Sequence, residues 1–338
     1  MLQLLVARVM FGVMFSVILA AAPQHQFIYE QAPFPSCHAA TIVETTPGVH
    51  LAAWFGGEAE GRPDVAIWGA RLENGRWSAP FELVREPKIA TYNPVLFYSK
   101  DGTLWLYYKF GPHPTRWSAG RISSRDHGQT WTSPEHLPAG IYGPIKNKPH
   151  LLRDGTVVSG TSVESHNAWT SWVERSTDNA KTWTKHGPVE YPGDVYASIQ
   201  PAIVPLANGR LRMFVRTTDH IGRIAKADSK DGGRTWTPLT LTDLPNPNSG
   251  IDAVALRDGR IVMAYNHTKS GRSPLNLAVS ADGDRWQMFL ALETEPGEFS
   301  YPSLIQSRDG SVDVVYTWNR KRIKHVRVPL ADIPSGKE

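Results

Sequence analysis

Apolar and aromatic residues fall in short runs broken by polar turns along nearly the whole chain, and no stretch sustains a helical period. Such runs, bounded by Gly, Asn, Asp and Pro, predict strands. Tight turns written Thr-Pro-Gly, Asp-Gly or Asn-Gly end at Gly48, Gly102, Gly155, Gly209, Gly259 and Gly310, spaced 54, 53, 54, 50 and 51 residues apart. An apolar run precedes each turn and another follows it, as at 103–110, 211–215, 261–265 and 312–316. A third apolar segment comes next, and then a second marker.

That marker is a polar box ending in tryptophan. Copies run Ser124–Trp131, Ser176–Trp183 and Ser229–Trp236, with a shortened one at Ser280–Trp286, and their aspartates lie 52, 53 and 51 residues apart. Asp and Gly suit such a segment because a short carboxylate accepts nearby backbone N–H groups while glycine takes the positive φ of the turn. The Trp opens a fourth strand and anchors it with a large ring. Glu73–Trp77 is a reduced copy. Four strands per repeat and six repeats predict an all-β, six-bladed β-propeller, since the repeats of a β-solenoid are shorter. Closing the ring requires the last blade to borrow a strand from the N-terminal segment near Phe27–Gln31. The boxes belong at the blade periphery.

Composition adds limits. The 338 residues, 41% hydrophobic and 20% charged, suffice for a large core. Residues 1–22 carry Arg8, an apolar run and small residues Ala20–Ala22, which reads as a secretory signal peptide ahead of a propeller over 23–338; an uncleaved anchor helix is the alternative. The expected location is therefore extracellular or periplasmic, with no membrane association after cleavage. Cys37 is the only cysteine, which excludes an internal disulfide and a zinc–thiolate site, and no HExxH spacing occurs; neither metal nor cofactor is expected. A net charge of +4 without a basic run does not suggest nucleic acid, but it suits an anionic small substrate.

In a propeller the first strand of every blade lines the central channel. Counting back from each turn places Asn93-Pro94, Lys148-Pro149, Gln200-Pro201 and Tyr301-Pro302 at the openings of these strands, with His38-Ala39 and Ile251-Asp252 as divergent copies. The residue before proline differs in each blade, as a binding funnel requires. Seven residues past each turn glycine lie Phe55, Lys109, Ser162, Arg216, Asn266 and Thr317, a second varied ring. Lys109, Lys148, Arg216 and Arg272 come from four blades and are expected to converge on one anion, where Arg offers a bidentate fork to a carboxylate. Asn147 and Asp252 are candidate contacts to sugar hydroxyls.

The boxes and the repeat resemble those of the sialidase (neuraminidase) superfamily over nearly the whole mature chain. The resemblance implies three arginines clamping a substrate carboxylate, a tyrosine nucleophile supported by a glutamate, and an acidic acid/base. Arg272, eight residues before a box serine, and Arg216 resemble two clamp arginines, and Tyr301 falls at the nucleophile's place. His38 stands where the family has its first clamp arginine. Gln200 stands where it has the glutamate, and an amide cannot take the tyrosine proton. The loop Phe55–Asp64, where the family carries its acid/base, offers Glu58, Glu60 and Asp64.

The function expected from these residues is an exo-acting, sialidase-like glycoside hydrolase that removes a terminal acidic sugar from a glycan partner. Its chemistry would fall to His38, a carboxylate of the 58–64 loop and Tyr301. Two other readings remain: a histidine-dependent glycosidase or lyase acting on rhamnose–glucuronate polysaccharide, because imidazole exchanges protons near neutrality, and a glycan-binding propeller without catalysis.

Overall fold

A computed structural model describes residues 22–337. The leader predicted over 1–22 lies outside the described residues, Ala22 apart, and no described helix is long and apolar enough to cross a membrane. The described residues form six antiparallel sheets in sequence order. Their innermost strands are Ser36–Thr46, Thr91–Tyr98, His150–Leu151, Ser198–Pro205, Asp252–Ala255 and Phe299–Gln306. The ring closes through the N-terminus: Gln24–Phe27 pairs with Arg322–Val328 as the outermost strand of blade 6, a few residues earlier than expected. Blade 1 carries an additional short strand.

Apolar residues between adjacent blades bury the sheet faces that no blade covers alone. One cluster joins Leu51 and Ile67 of blade 1 to Leu96, Leu106 and Tyr108 of blade 2, and another joins Val262 and Leu277 of blade 5 to Leu304 and Tyr316 of blade 6. Each intact box is internally satisfied. In the third copy Asp231 accepts from the N–H of Thr235 at 2.9 Å and from its hydroxyl at 2.6 Å, while Ser229 Oγ accepts from Gly233 N–H at 2.9 Å. Gly233 has φ +85°, and a Cβ there would meet Val158 of blade 3 at 2.6 Å, so the position requires glycine on two counts.

A recurring arginine clasps each box to the preceding blade. Arg71 donates to Gly128 O, Arg121 to Ala180 O at 2.8 Å and Lys181 O at 2.7 Å, and Arg175 to Gly232 O at 2.8 Å. Arg212 pairs with Asp284 at 2.8 Å. At the closing seam buried Asp313 takes this part, accepting from His325 Nε2 at 2.8 Å, Arg327 NH1 and Ser307 Oγ, with His50 behind the serine.

Candidate active site

Four of the six innermost strands share one irregularity. Pairing slips between His38 and Thr41, Tyr92 and Val95, Ile199 and Ala202, and Ser300 and Ser303. The first unpaired residue of each bulge has positive φ: Ala39 +57°, Asn93 +38°, Gln200 +59° and Tyr301 +52°. A bulge bends its strand and re-aims a side chain, and a non-glycine residue held at positive φ signals a position fixed by its surroundings. The register also corrects one alignment: Ala39, not His38, is the counterpart of Asn93, Gln200 and Tyr301. His38 sits one residue earlier, paired with Phe55.

Tyr301 is the centre of the mouth. Its hydroxyl accepts from Arg216 NH1 at 2.9 Å and from Gln200 Nε2 at 3.1 Å. Arg216 also fixes the amide's orientation, because its NH1 lies 3.4 Å from Gln200 Oε1 and a flipped amide would turn its NH2 toward the guanidinium. Gln200 is thus a donor to Tyr301. The ring has Lys146 Nζ at 5.7 Å and the guanidinium carbons of Arg216 and Arg272 each at 5.8 Å from its centroid. Gly250 packs flat against it, where a Cβ would meet Cδ2 at 3.2 Å.

His38 lies 4.2 Å from the Tyr301 ring, centroid to centroid. Its Nδ1 is 3.1 Å from Thr317 Oγ1, which already accepts from Ala39 N–H. The threonine O–H is then free to donate to Nδ1, and a neutral ring carries its proton on Nε2. Burial first, and then the charges of Arg320, Arg272, Arg216 and Lys146, hold its pKa well below the usual histidine range. His38 is therefore uncharged at neutral pH, and donation from the Thr317 hydroxyl to Nδ1 would place its proton on Nε2.

The third arginine at this mouth is Arg320, which the sequence did not single out. It occupies the turn between Val312–Trp318 and Arg322–Val328, where Asn319 and Arg320 have φ of +51° and +52°. Arg320 Nε donates to Glu298 Oε1 at 2.9 Å and its NH1 pairs with Glu60; Arg272 NH1 donates to the same Glu298 oxygen at 2.8 Å. Arg216 has no carboxylate partner among the described residues; its Nε donates to Asn248 Oδ1 at 2.8 Å. Three guanidinium groups against the two carboxylates Glu298 and Glu60 leave one positive charge. Arg216, Asp219, Asn248, Lys269 and Arg272 line an open hollow of about 510 Å³ here, and Lys269 and Asp219 add opposite charges that leave this balance unchanged. A larger one, about 670 Å³, lies among the first turns of blades 3, 4 and 5, where Leu152, Leu206 and Leu256 line it beside Arg153 and Arg257 and no tyrosine or carboxylate joins them.

The remaining candidates are placed elsewhere or already occupied. Lys109 does not join the anion site: it is fully buried, donates to Pro144 O at 2.8 Å, and burial pushes its pKa down to about 7. Lys148 is paired with Asp252 at 2.8 Å, and Asp252 also accepts from Leu304 N–H at 2.8 Å, so both are struts within the channel. Asn147 spans Lys146 Nζ and Gln200 O. Asn266 spends its amide on the carbonyls of Arg272, Pro274 and Phe299 and accepts from Ser249. Glu58 is exposed beside Arg62, and Asp64 accepts from Glu58 N–H at 2.7 Å, closing the loop; of the three acids only Glu60 reaches the arginines. Lys146, also missed in sequence, donates to Ile251 O at 2.8 Å and Pro302 O at 2.5 Å, joining blades 3, 5 and 6 beneath Tyr301.

Residues 48–314 match the family described as BNR repeat-like domain, and the chain belongs to that family. It is similar to the anhydrosialidase of Macrobdella decora, 24% identical over an alignment of 260 residues that covers 66% of this chain and 33% of the relative. The chain thus spans about a third of that relative's length. Among solved structures, a protein of unknown function from Dyadobacter fermentans superposes with a TM-score of 0.77 at 16% identity, covering 91% of this chain and 99% of the other. A mutant of the NanB sialidase of Streptococcus pneumoniae gives 0.75 at 12% identity, covering 91% and 71%. The fold is that of the sialidase propellers.

Proposed function

We propose that this propeller is an exo-acting glycoside hydrolase that releases a terminal acidic sugar, binding its carboxylate between Arg216, Arg272 and Arg320. The observation that carries this reading is the unneutralised positive charge of the three arginines around Tyr301. A single carboxylate completes that balance, and guanidinium forks suit its two oxygens. The sugar ring then lies over Tyr301, with the phenol oxygen, held by Arg216 and Gln200, facing the anomeric carbon. Both neighbours donate to that oxygen, so they stabilise negative charge on it. Neither takes its proton.

That last feature also favours a second reading, a lectin-like propeller that holds the sugar without cleaving it. A panel of aryl and oligosaccharide glycosides of N-acetylneuraminic, glucuronic and galacturonic acids separates the two. Release of one acidic sugar by the wild type, lost in Arg216→Ala, supports hydrolysis. Binding of an acidic sugar with no product from any member supports the second reading, and neither binding nor release would remove both.

A further inference from the structure

Around the clamp, Glu298 and Glu60 are tied up by Arg272 and Arg320. Glu164 is different. It closes the second strand of blade 3, Val157–Glu164, two residues beyond Ser162 and therefore on the same face. Its one hydrogen-bond partner among the described residues is Ser162 Oγ at 3.3 Å, and it makes no ion pair with them. Directly across the hairpin is Trp169. The Trp169 ring lies 5.6 Å from the guanidinium carbon of Arg216, whose NH1 holds Tyr301. Trp169 in turn stacks near Tyr196, with centroids 5.0 Å apart. The blade 3 hairpin thus brings an unpaired carboxyl and an apolar aromatic wall to the flank of the clamp, on the side of Arg216 away from Arg272 and Glu298.

We propose that Glu164 is the general acid that protonates the leaving glycosidic oxygen, the role that the family resemblance implies for a carboxylate of the 58–64 loop. The proposal rests on the hydrolase reading above. Burial raises the Glu164 carboxyl to about 7, the charge of Glu60 adds to the rise, and Arg216 and the Ser162 hydroxyl oppose it. A carboxyl so poised carries a proton near neutral pH and can give it up. In the step, the anomeric C–O bond breaks with its electron pair going to oxygen, which takes the Glu164 proton and departs as an alcohol. Water then bonds to the cationic sugar centre over Tyr301, and the proton it loses returns to the Glu164 carboxylate. The sum is one glycoside and one water giving one sugar and one alcohol.

The test compares two glycosides of the acidic sugar that the panel selects: an aryl glycoside, whose leaving group needs no proton, and an oligosaccharide such as 3′-sialyllactose or its uronate counterpart. Glu164→Gln should lower kcat/KM on the oligosaccharide about 10²- to 10⁴-fold, the usual contribution of a general acid, while the aryl glycoside loses far less. The alkaline limb of the pH–rate profile should disappear in that variant. Ser162→Ala removes the hydroxyl that stabilises the carboxylate and should move the same limb to higher pH, which gives an independent reading if Glu164→Gln folds poorly. Equal losses on both substrates, or an unmoved limb in both variants, would overturn the assignment and leave the hydrolase reading standing. A wild type inactive on both substrates would end the two together.

Discussion

Arginine serves this propeller in two regions, and the difference lies in what is left for a ligand. At the periphery Arg121 donates to Ala180 O, Lys181 O and Glu135, and Arg212 is held by Asp228 and Asp284. These donors are consumed by the chain, and each guanidinium is a strut between neighbouring blades. At the channel mouth Arg216 meets only neutral oxygens, and Arg272 and Arg320 share Glu298. The same side chain is structural where backbone carbonyls and carboxylates use up its donors, and available for binding where guanidinium groups outnumber the carboxylates that face them. Position in the ring decides which, because equal residues recur at the rim while the bulged inner strands present unequal ones.

Exchanging the two kinds of arginine tests this contrast most severely. Arg272→Ala should weaken binding of the acidic sugar by about 2–5 kcal/mol, the range for truncating one member of a hydrogen-bonded charge pair, with a melting temperature near that of the wild type. Calorimetric titration and a thermal melt on the same sample would check both halves. Arg121→Ala should do the reverse, costing about 1.5–3 kcal/mol of stability for its charged hydrogen bonds and leaving sugar affinity unchanged. A binding defect there, or a folding defect in Arg272→Ala, would erase the distinction.

The boxes add a pH signature confined to the periphery. Partial burial pushes the Asp231 carboxyl up, but bonds from Thr235, Ser229 and Arg234 N–H outweigh it and hold the group at about 2, below its model-peptide value near 4. A carboxyl depressed on folding stabilises the fold above its unfolded pKa, and that contribution is lost as pH falls from about 4 toward 2. Melting temperature should drop over that window, and Asp231→Asn should flatten the drop. The smallest effect is expected at Glu58 and Asp64. Glu58→Gln and Asp64→Asn should change turnover by no more than about twofold, in line with surface substitutions that shift free energy by roughly 0.5 kcal/mol.

The fold was legible because its markers are backbone requirements. Turn glycines and box aspartates recur wherever a blade repeats, and they predicted six blades and the closing N-terminal strand. Arg216, Gln200 and Tyr301 were legible from the same ruler, as openings or ends of inner strands. The ruler does not report which face a side chain takes or what it meets. Lys109 and Arg216 occupy equivalent positions, yet Lys109 is buried on Pro144 O whereas Arg216 is drawn toward Tyr301. His38 was set one residue out of phase because blade 1 has Ala39-Ala40 where three blades have a residue followed by proline. Arg320 escaped notice because it belongs to the connection between the second and third strands, whose length and sequence differ from blade to blade, and Glu164 because it lies two residues past the position that the count selected.

The most direct test of the clamp is a calorimetric titration of the wild type with the acidic sugar and with its methyl ester, which keeps every hydroxyl and removes the charge. The expected result is binding of the acid and at least tenfold weaker binding of the ester, about 1.4 kcal/mol or more, with the preference lost in Arg216→Ala. Equal affinities for acid and ester would contradict an anion site at Arg216, Arg272 and Arg320.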